Sequence, residues 1–285
     1  MGTGTTTISL PYRKHWMLSL KVRVTPDTCF QNVMAKIDNP EADAILDREF
    51  RVLDKGFARL VDYLGGDDRI VQAARVSYGK GTKTPEEDKK LIHYLMKNAH
   101  TSPLEQVVLT FHIKIPIFIA RQWVRHRTAR LNEFSLRYSE AKDDFYVPSS
   151  WRRQDLKNKQ GSLAHNPILD EGFNQALISH NEKSMALYKM LIDHGAAREM
   201  ARMVLPVNLY TEMYWQMDLH NLFHFLKLRL DSHAQYEIQE YGKVLALMAK
   251  TVAPVAYGAF EEHVLFAKKL SRSELIQIEE SNFND

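Results

Sequence analysis

Arg121-Gln-Trp-Val-Arg125-His126-Arg127-Thr-Ala-Arg130-Leu-Asn132-Glu133-Phe-Ser135-Leu-Arg137-Tyr138 sets five arginines and a histidine against one acid. A solvated helical face usually mixes both signs, whereas guanidinium forks packed this densely suit phosphate or carboxylate, gripped through paired hydrogen bonds. The stretch points to an anionic ligand. Each charge-assisted bond is worth roughly 1.5–3 kcal/mol, so a few of them would hold a nucleotide without a Gly-rich loop.

Just upstream, Val107, Leu109, Phe111, Ile113 and Ile115 alternate with Val108, Thr110, His112 and Lys114, the period of two of a strand. Pro116 ends it, and residues 117–125 read as a short helix delivering the arginines. Further back, Phe50-Arg-Val-Leu53 reads as a strand, residues from Lys55 to Gly65-Gly66 as a helix, and Asp67 as the cap of a helix reaching about Val76. Thr84-Pro85-Glu86-Glu87 is a helix start, with a capping hydroxyl, a proline in the first turn and acids at the positive end of the dipole; the helix should run to about Asn98. Downstream, Tyr146-Val-Pro148 and residues 149–161 read as loop. Asn166-Pro167 should cap a long helix with Leu169, Phe173, Leu177, Ser184, Leu187 and Leu191 on its apolar side and Gly195 at its end. Residues 198–204 read as a helix stopped by Pro206, 207–217 as a strand, 218–228 as a helix, and 233–251 as a last long helix ending before Pro254. The fold class expected is α+β, helices packed around a mostly antiparallel sheet, without the regular alternation of a doubly wound fold.

Composition bounds the function. At 285 residues, 45% hydrophobic and 26% charged, the chain can bury the core of one large domain or two closely joined ones. A net charge of +3 is too small for wholesale nucleic-acid binding. Apolar runs such as 115–120 fall far short of a membrane span, and no secretory signal opens the chain, so a cytoplasmic protein is expected. The single cysteine, Cys29, excludes an internal disulfide and a cysteine-rich metal cage. Gly79-Lys-Gly81 matches neither phosphate-loop pattern. His220 and His224, one helical turn apart, have zinc-ligand spacing but lack the intervening glutamate of a metalloprotease, so no metal is expected there.

Arg125-His126-Arg127, seven residues, then Ser135, with Asn132-Glu133 before the serine and Arg137-Tyr138 after it, resembles the signature of flavin-dependent thymidylate synthases, the thymidylate synthase-complementing proteins. The resemblance runs from about Phe50 to about Phe260. Arg130 departs from it, since many relatives carry a small residue there. Residues 1–48 precede it and form an extension of unknown role; 49–285 would be the catalytic domain of that family's α+β fold. The resemblance implies reductive methylation of dUMP to dTMP, with methylenetetrahydrofolate as one-carbon donor and FAD, reduced by NADPH, as hydride donor. It implies a homotetramer with shared active sites, small-molecule substrates, and neither nucleic acid nor membrane as partner.

Carried over by matching position, dUMP would meet Gln122, Trp123, Val124, Arg125, Glu133, Phe134, Ser135, Leu136, Arg137, Arg202 and Arg229. FAD would meet Ser77, in Ala73-Ala-Arg-Val-Ser77, and Ser102, in His100-Thr-Ser102-Pro. It would also meet Arg125, His126, Arg127, Glu133, Asp218, Leu219, His220 and His224. Making thymine from uracil needs C5 of the ring as a carbon nucleophile. Conventional thymidylate synthases polarise the ring by adding a cysteine to C6, but Cys29 lies in the extension, so a different activation is implied. Arg229, in Leu228-Arg229-Leu-Asp231-Ser-His233, aligns with the family arginine that orients and activates the pyrimidine; its fixed charge would stabilise negative charge as it develops. Ser135 reads as a hydrogen-bonding group, because an activated serine needs a base that the sequence does not identify. Two other classes remain open to the sequence: a nucleic-acid-binding module, opposed by the modest charge, and an assembly protein, which leaves the clustered arginines unexplained.

Overall fold

The computed structural model describes residues 5–8, 20–23, 39–76, 84–159, 161–168, 171–268 and 270–276. The chain divides into two compact units, Met1–Asp38 and Asn39–Asp285. In the first, β1 (Thr5–Ile8) and β2 (Leu20–Arg23) pair antiparallel.

The second unit opens with α1 (Pro40–Asp43) and builds a five-stranded, wholly antiparallel sheet. Its strands are β3 (Phe50–Val52), β4 (Gly56–Leu64), β5 (Val108–Pro116), β6 (Arg130–Glu133) and β9 (Tyr210–Asp218), in the order β3-β4-β5-β9-β6. Between β4 and β5 lie α2 (Asp67–Ala74) and α3 (Pro85–Lys97). α4 (Ile117–Trp123) joins β5 to β6, and β7 (Trp151–Gln154) pairs antiparallel with β8 (Ser162–Ile168). Then come α5 (Glu171–Asp193), α6 (Arg198–Ala201) with a 3-10 turn at Arg202–Val204, α7 (Leu219–Arg229), α8 (Tyr236–Val252), α9 (Pro254–Phe260) and a π-helical turn at Glu261–Leu265.

Alternation in β5 buries Leu109, Phe111, Ile113 and Ile115, and in β9 it buries Met213, Trp215 and Met217. This apolar face packs on α4, α7 and α8: Trp123 meets Trp215 at 5.2 Å and Phe225 at 4.6 Å between ring centroids. Fully burying each such side chain contributes roughly 1.5–3 kcal/mol. A smaller core of Phe145, Met185, Tyr188, Ala201 and Leu209 seats α5 and α6.

The α+β class, β5 and the helices at 84–98 and 218–228 stand as expected. Thr84 forms a full capping box, its hydroxyl accepting from the Glu87 amide while the Glu87 carboxylate accepts from the Thr84 amide, each at 3.3 Å. Other expectations are corrected. The helix expected after Lys55 is strand β4: Ala58 and Leu60 face the core, then a bulge between Leu60 and Asp62 turns Tyr63 inward, and this slip hides the period of two. Gly56 in that strand cannot carry a side chain, since a Cβ would lie 2.1 Å from the Tyr241 hydroxyl and 2.9 Å from the Lys114 carbonyl. Asp67 does not cap its own helix; it is the first residue of α2, and its carboxylate caps α9 by accepting from the Val255 and Ala256 amides at 2.8 and 2.9 Å. Pro254 accordingly begins a further helix after α8. The expected loop 149–161 holds β7, and Asn166-Pro167 lies in β8, so α5 starts only at Glu171, after the hairpin pairing ends. Leu169 lies outside the described residues. The buried side of α5 is Asn181, Ser184, Met185 and Tyr188, with Phe173 and Leu187 exposed, because the smaller core meets the helix on that side.

Candidate active site

Pro116 closes β5 and starts α4, whose C-terminal end presents the arginine stretch. Trp123 is the anchor: fully buried, it fixes the neighbouring Gln122 at the edge of the core. From α7, Arg229 reaches this edge, donating from Nε to Nε2 of His126 at 3.1 Å and from Nη2 to the Gln122 carbonyl at 3.2 Å. The His126 ring lies 4.7 Å from Phe225 and 6.2 Å from His224 between centroids. Burial, then the Arg229 cation and His224, push the His126 imidazole down to about 4. At neutral pH it is uncharged, and because Nε2 accepts, its proton sits on Nδ1. Burial also lowers Arg229 from its ordinary value, yet a guanidinium stays charged in a protein. Gln122 is held through its side-chain amide by Gln235, and Gln235 donates to Glu237 at 2.9 Å. Glu237 is buried and also accepts from Arg152 Nη2, at 2.8 Å to each oxygen, and from the Tyr146 hydroxyl at 3.1 Å. One hydrogen-bonded chain thus runs from Arg152 in β7 through Glu237 and Gln235 to Gln122.

A second group surrounds a cavity of 610 Å³ between the sheet, the turn after β6 and the α6 region. Its walls include Glu133, Phe134, Ser135, Leu136, Lys142, Glu199 and Arg202. Glu133 accepts from the Thr211 hydroxyl at 2.9 Å, and the Ser135 hydroxyl accepts from the Arg137 amide at 3.3 Å, which pins the turn. Arg137 pairs with Glu199 at 3.4 Å, both side chains exposed, a contact worth little by itself. Arg121, Arg125, Arg127 and Arg202 are exposed, and among the described residues none has an acid partner.

The family described as Thymidylate synthase complementing protein matches residues 59–255. The chain belongs to this family. Among relatives, the flavin-dependent thymidylate synthase of Thermus thermophilus is 57% identical over 224 residues, covering 79% of this chain and 82% of that protein. That of Treponema denticola is 55% identical over 236 residues (81% and 88%), and that of Ehrlichia ruminantium 44% over 264 residues (91% and 88%). Among solved structures, the UMP/dUMP methylase PolB of Streptomyces cacaoi, bound with 5-Br dUMP, superposes with a TM-score of 0.66 at 31% identity, covering 74% of this chain and 97% of that one. The chain is thus an enzyme of the flavin-dependent thymidylate synthase family, with that family's α+β fold.

For a member of this family, the sequence-predicted residues fall in distinct places. Gln122, His126 and Arg229 come together, with His224 beside His126; Glu133, Phe134, Ser135, Leu136 and Arg202 line the cavity, with Arg137 at its turn. Val124, Arg125 and Arg127 are exposed on the segment from α4 to β6, and Ser102 is exposed after α3. His220 is half-buried in the first turn of α7. Asp218 is the N-cap of α7, occupied by the Asn221 amide at 2.9 Å and the Asn221 side chain at 2.7 Å. Trp123 and Leu219 are fully buried, so their side chains support the site by packing. Ser77 lies outside the described residues. Sequence reading missed Arg152, Gln235 and Glu237; Gln235 and Glu237 stand four and six residues beyond Asp231, but only the fold turns them toward Gln122.

Proposed function

We propose that the chain converts dUMP to dTMP using methylenetetrahydrofolate and NADPH, with Arg229 as the residue that activates the pyrimidine. The carrying observation is the bracing of Arg229: a neutral His126 and the Gln122 carbonyl hold the guanidinium by Nε and Nη2, leaving Nη1 free. A cation fixed in this way faces N3 and a carbonyl oxygen of uracil and stabilises negative charge as C5 becomes nucleophilic, with no reorganisation at the moment of reaction. A protonated His126 would repel Arg229, so its low affinity for a proton keeps the bracket intact.

Around it, Arg125, Arg137 and Arg202 serve the phosphate and ribose, Ser135 donates a hydrogen bond to the nucleotide, and Glu133, steadied by Thr211, accepts one. The donor set also fits FAD: exposed Arg125 and Arg127, without acid partners among the described residues, suit a pyrophosphate, His224 lies beside His126, and His220 stands one turn earlier on α7. Ser77, Ser102, Asp218 and Leu219 belong to the same proposed flavin set. Bound FAD, reduced by NADPH, would supply the hydride.

No described residue of the Gln122–Arg229 group lines the 610 Å³ cavity that holds Glu133, Ser135 and Arg202. This division supports sites completed by a second copy, in a homotetramer. Among the described residues no helix is long and apolar enough to cross a membrane; with a single cysteine, we place the enzyme in the cytoplasm. The test is to purify the full chain, reconstitute it with FAD, and follow dTMP formation alongside light scattering. A yellow, tetrameric, active protein is expected. A colourless protein that FAD cannot reconstitute would reject the flavin assignment, and a fully active monomer would reject shared sites.

A further inference from the structure

Away from every residue assigned above, α3 and the π-helical turn after α9 bring His93, Glu262 and His263 together. Nδ1 of His93 lies 3.2 Å from Nε2 of His263 and 3.2 Å from Oε2 of Glu262, and Nε2 of His263 lies 3.8 Å from Oε1 of Glu262. Two of these separations match the edge of a tetrahedron of ligands around zinc: bonds of about 2.0–2.1 Å place neighbouring ligand atoms about 3.3 Å apart. Protons alone satisfy the cluster poorly. If Nδ1 of His93 donates to the carboxylate, Nε2 of His263 loses its donor; if Nδ1 accepts from His263, its lone pair faces the carboxylate oxygen. A cation at the common focus accepts all three lone pairs.

We propose that His93, Glu262 and His263 bind one zinc ion, tying α3 to the C-terminal turn. Two imidazoles and one carboxylate disfavour calcium and magnesium, which take oxygen ligands, and suit a late divalent transition ion. The imidazoles are mostly buried, 23% and 18% exposed, while Glu262 is 63% exposed, so water completes the coordination from the solvent side. The zinc acts as a structural clasp: its ligands come from segments 170 residues apart, and binding to the folded chain stabilises it.

The untagged full chain, stripped with a chelator, is titrated with Zn2+ against a chromophoric chelator, and its melting temperature is read with and without the metal. One zinc per chain and a melting temperature raised by zinc are expected. His93→Gln and His263→Gln should each weaken zinc by more than the roughly tenfold to hundredfold that losing an outer-shell partner costs. Cobalt substituted for zinc should show the intense visible absorption of a tetrahedral site. His224→Gln, which breaks the other histidine pair, should leave zinc affinity unchanged. No zinc on the parent chain, unchanged affinity in the His93 variant, or affinity lost with His224 overturns the proposal. Where the histidine variants fail to fold, Glu262→Gln at its exposed position decides, and unchanged zinc affinity there rejects the site.

Discussion

Replacing Arg229 with lysine keeps the positive charge and removes the fork. Arg229 spends Nε on His126 at 3.1 Å and Nη2 on the Gln122 carbonyl at 3.2 Å, and both bonds orient the remaining nitrogen. A lysine ammonium is a single point on a flexible stem and can replace only one of them. The loss is then at least one charge-assisted hydrogen bond, about 1.5–3 kcal/mol, together with the alignment of charge on the ring. Removing one preorganised donor from a site of developing negative charge typically costs about 2.7–4 kcal/mol, so dTMP turnover in Arg229→Lys should fall by roughly a hundredfold to a thousandfold. dUMP affinity should fall much less, since phosphate and ribose contacts are untouched. Single-turnover dTMP formation with pre-reduced flavin measures the first quantity, and calorimetric titration with dUMP the second. Melting temperature checks the fold. Turnover within about threefold of the parent, under 1 kcal/mol of barrier, would show that the planar fork is not what activates the ring.

Ser135→Ala should weaken dUMP binding by about tenfold, the worth of one hydrogen bond to a charged group, and keep measurable turnover; complete loss of turnover with dUMP and FAD still bound would revive a serine nucleophile. Arg130 is exposed on β6 and donates to Gln216 at 3.4 Å, so Arg130→Ser should weaken dUMP binding modestly; tighter binding in an equilibrium titration would reverse that reading. Burial pushes the Asp67 carboxyl from 3.8 up to about 6, against the pull of the Val255 and Ala256 amides. The folded chain therefore binds more protons than the unfolded one between those values, and this group's contribution, of order 3 kcal/mol, is present below about pH 4 and lost as pH rises through 6. His126, pushed down to about 4, works in the opposite sense, its contribution present above 6.5 and lost as pH falls. The two windows overlap, so melting curves of the parent should be compared with Asp67→Asn: the parent's advantage should shrink from pH 4 to 6.5, and a growing advantage would contradict the assignment.

Local signals carried far wherever a residue's chemistry was satisfied by its chain neighbours. The capping box at Thr84 and Glu87, the alternation of β5 and the stop at Gly195, whose φ is +81°, are short-range geometry and were legible as letters. The arginine stretch was legible as a cluster of one sign, and Arg121, Arg125 and Arg127 in it are exposed without an acid partner among the described residues. Other features depended on segments far apart in the chain. The bulge in β4 is set by its pairing with β5, and the true inner side of α5 by a core assembled from Phe145 to Leu209. Asp67 looked like a cap for the helix it begins, yet it caps one that starts 187 residues later, at Pro254 (254 − 67), because α2 and α9 pack together. The same holds at the candidate site. Arg229 and His126 could each be singled out by sequence, but that one braces the other, and that Glu237 and Arg152 steady Gln122 from behind, follows from four elements converging. The sequence by itself determined the fold class, through the periodicity of neighbouring residues, and the family, through the motif from Arg125 to Tyr138. Only the tertiary structure decided which side chains stand within hydrogen-bond reach, because that depends on how the sheet and α7 and α8 pack around the buried Trp123.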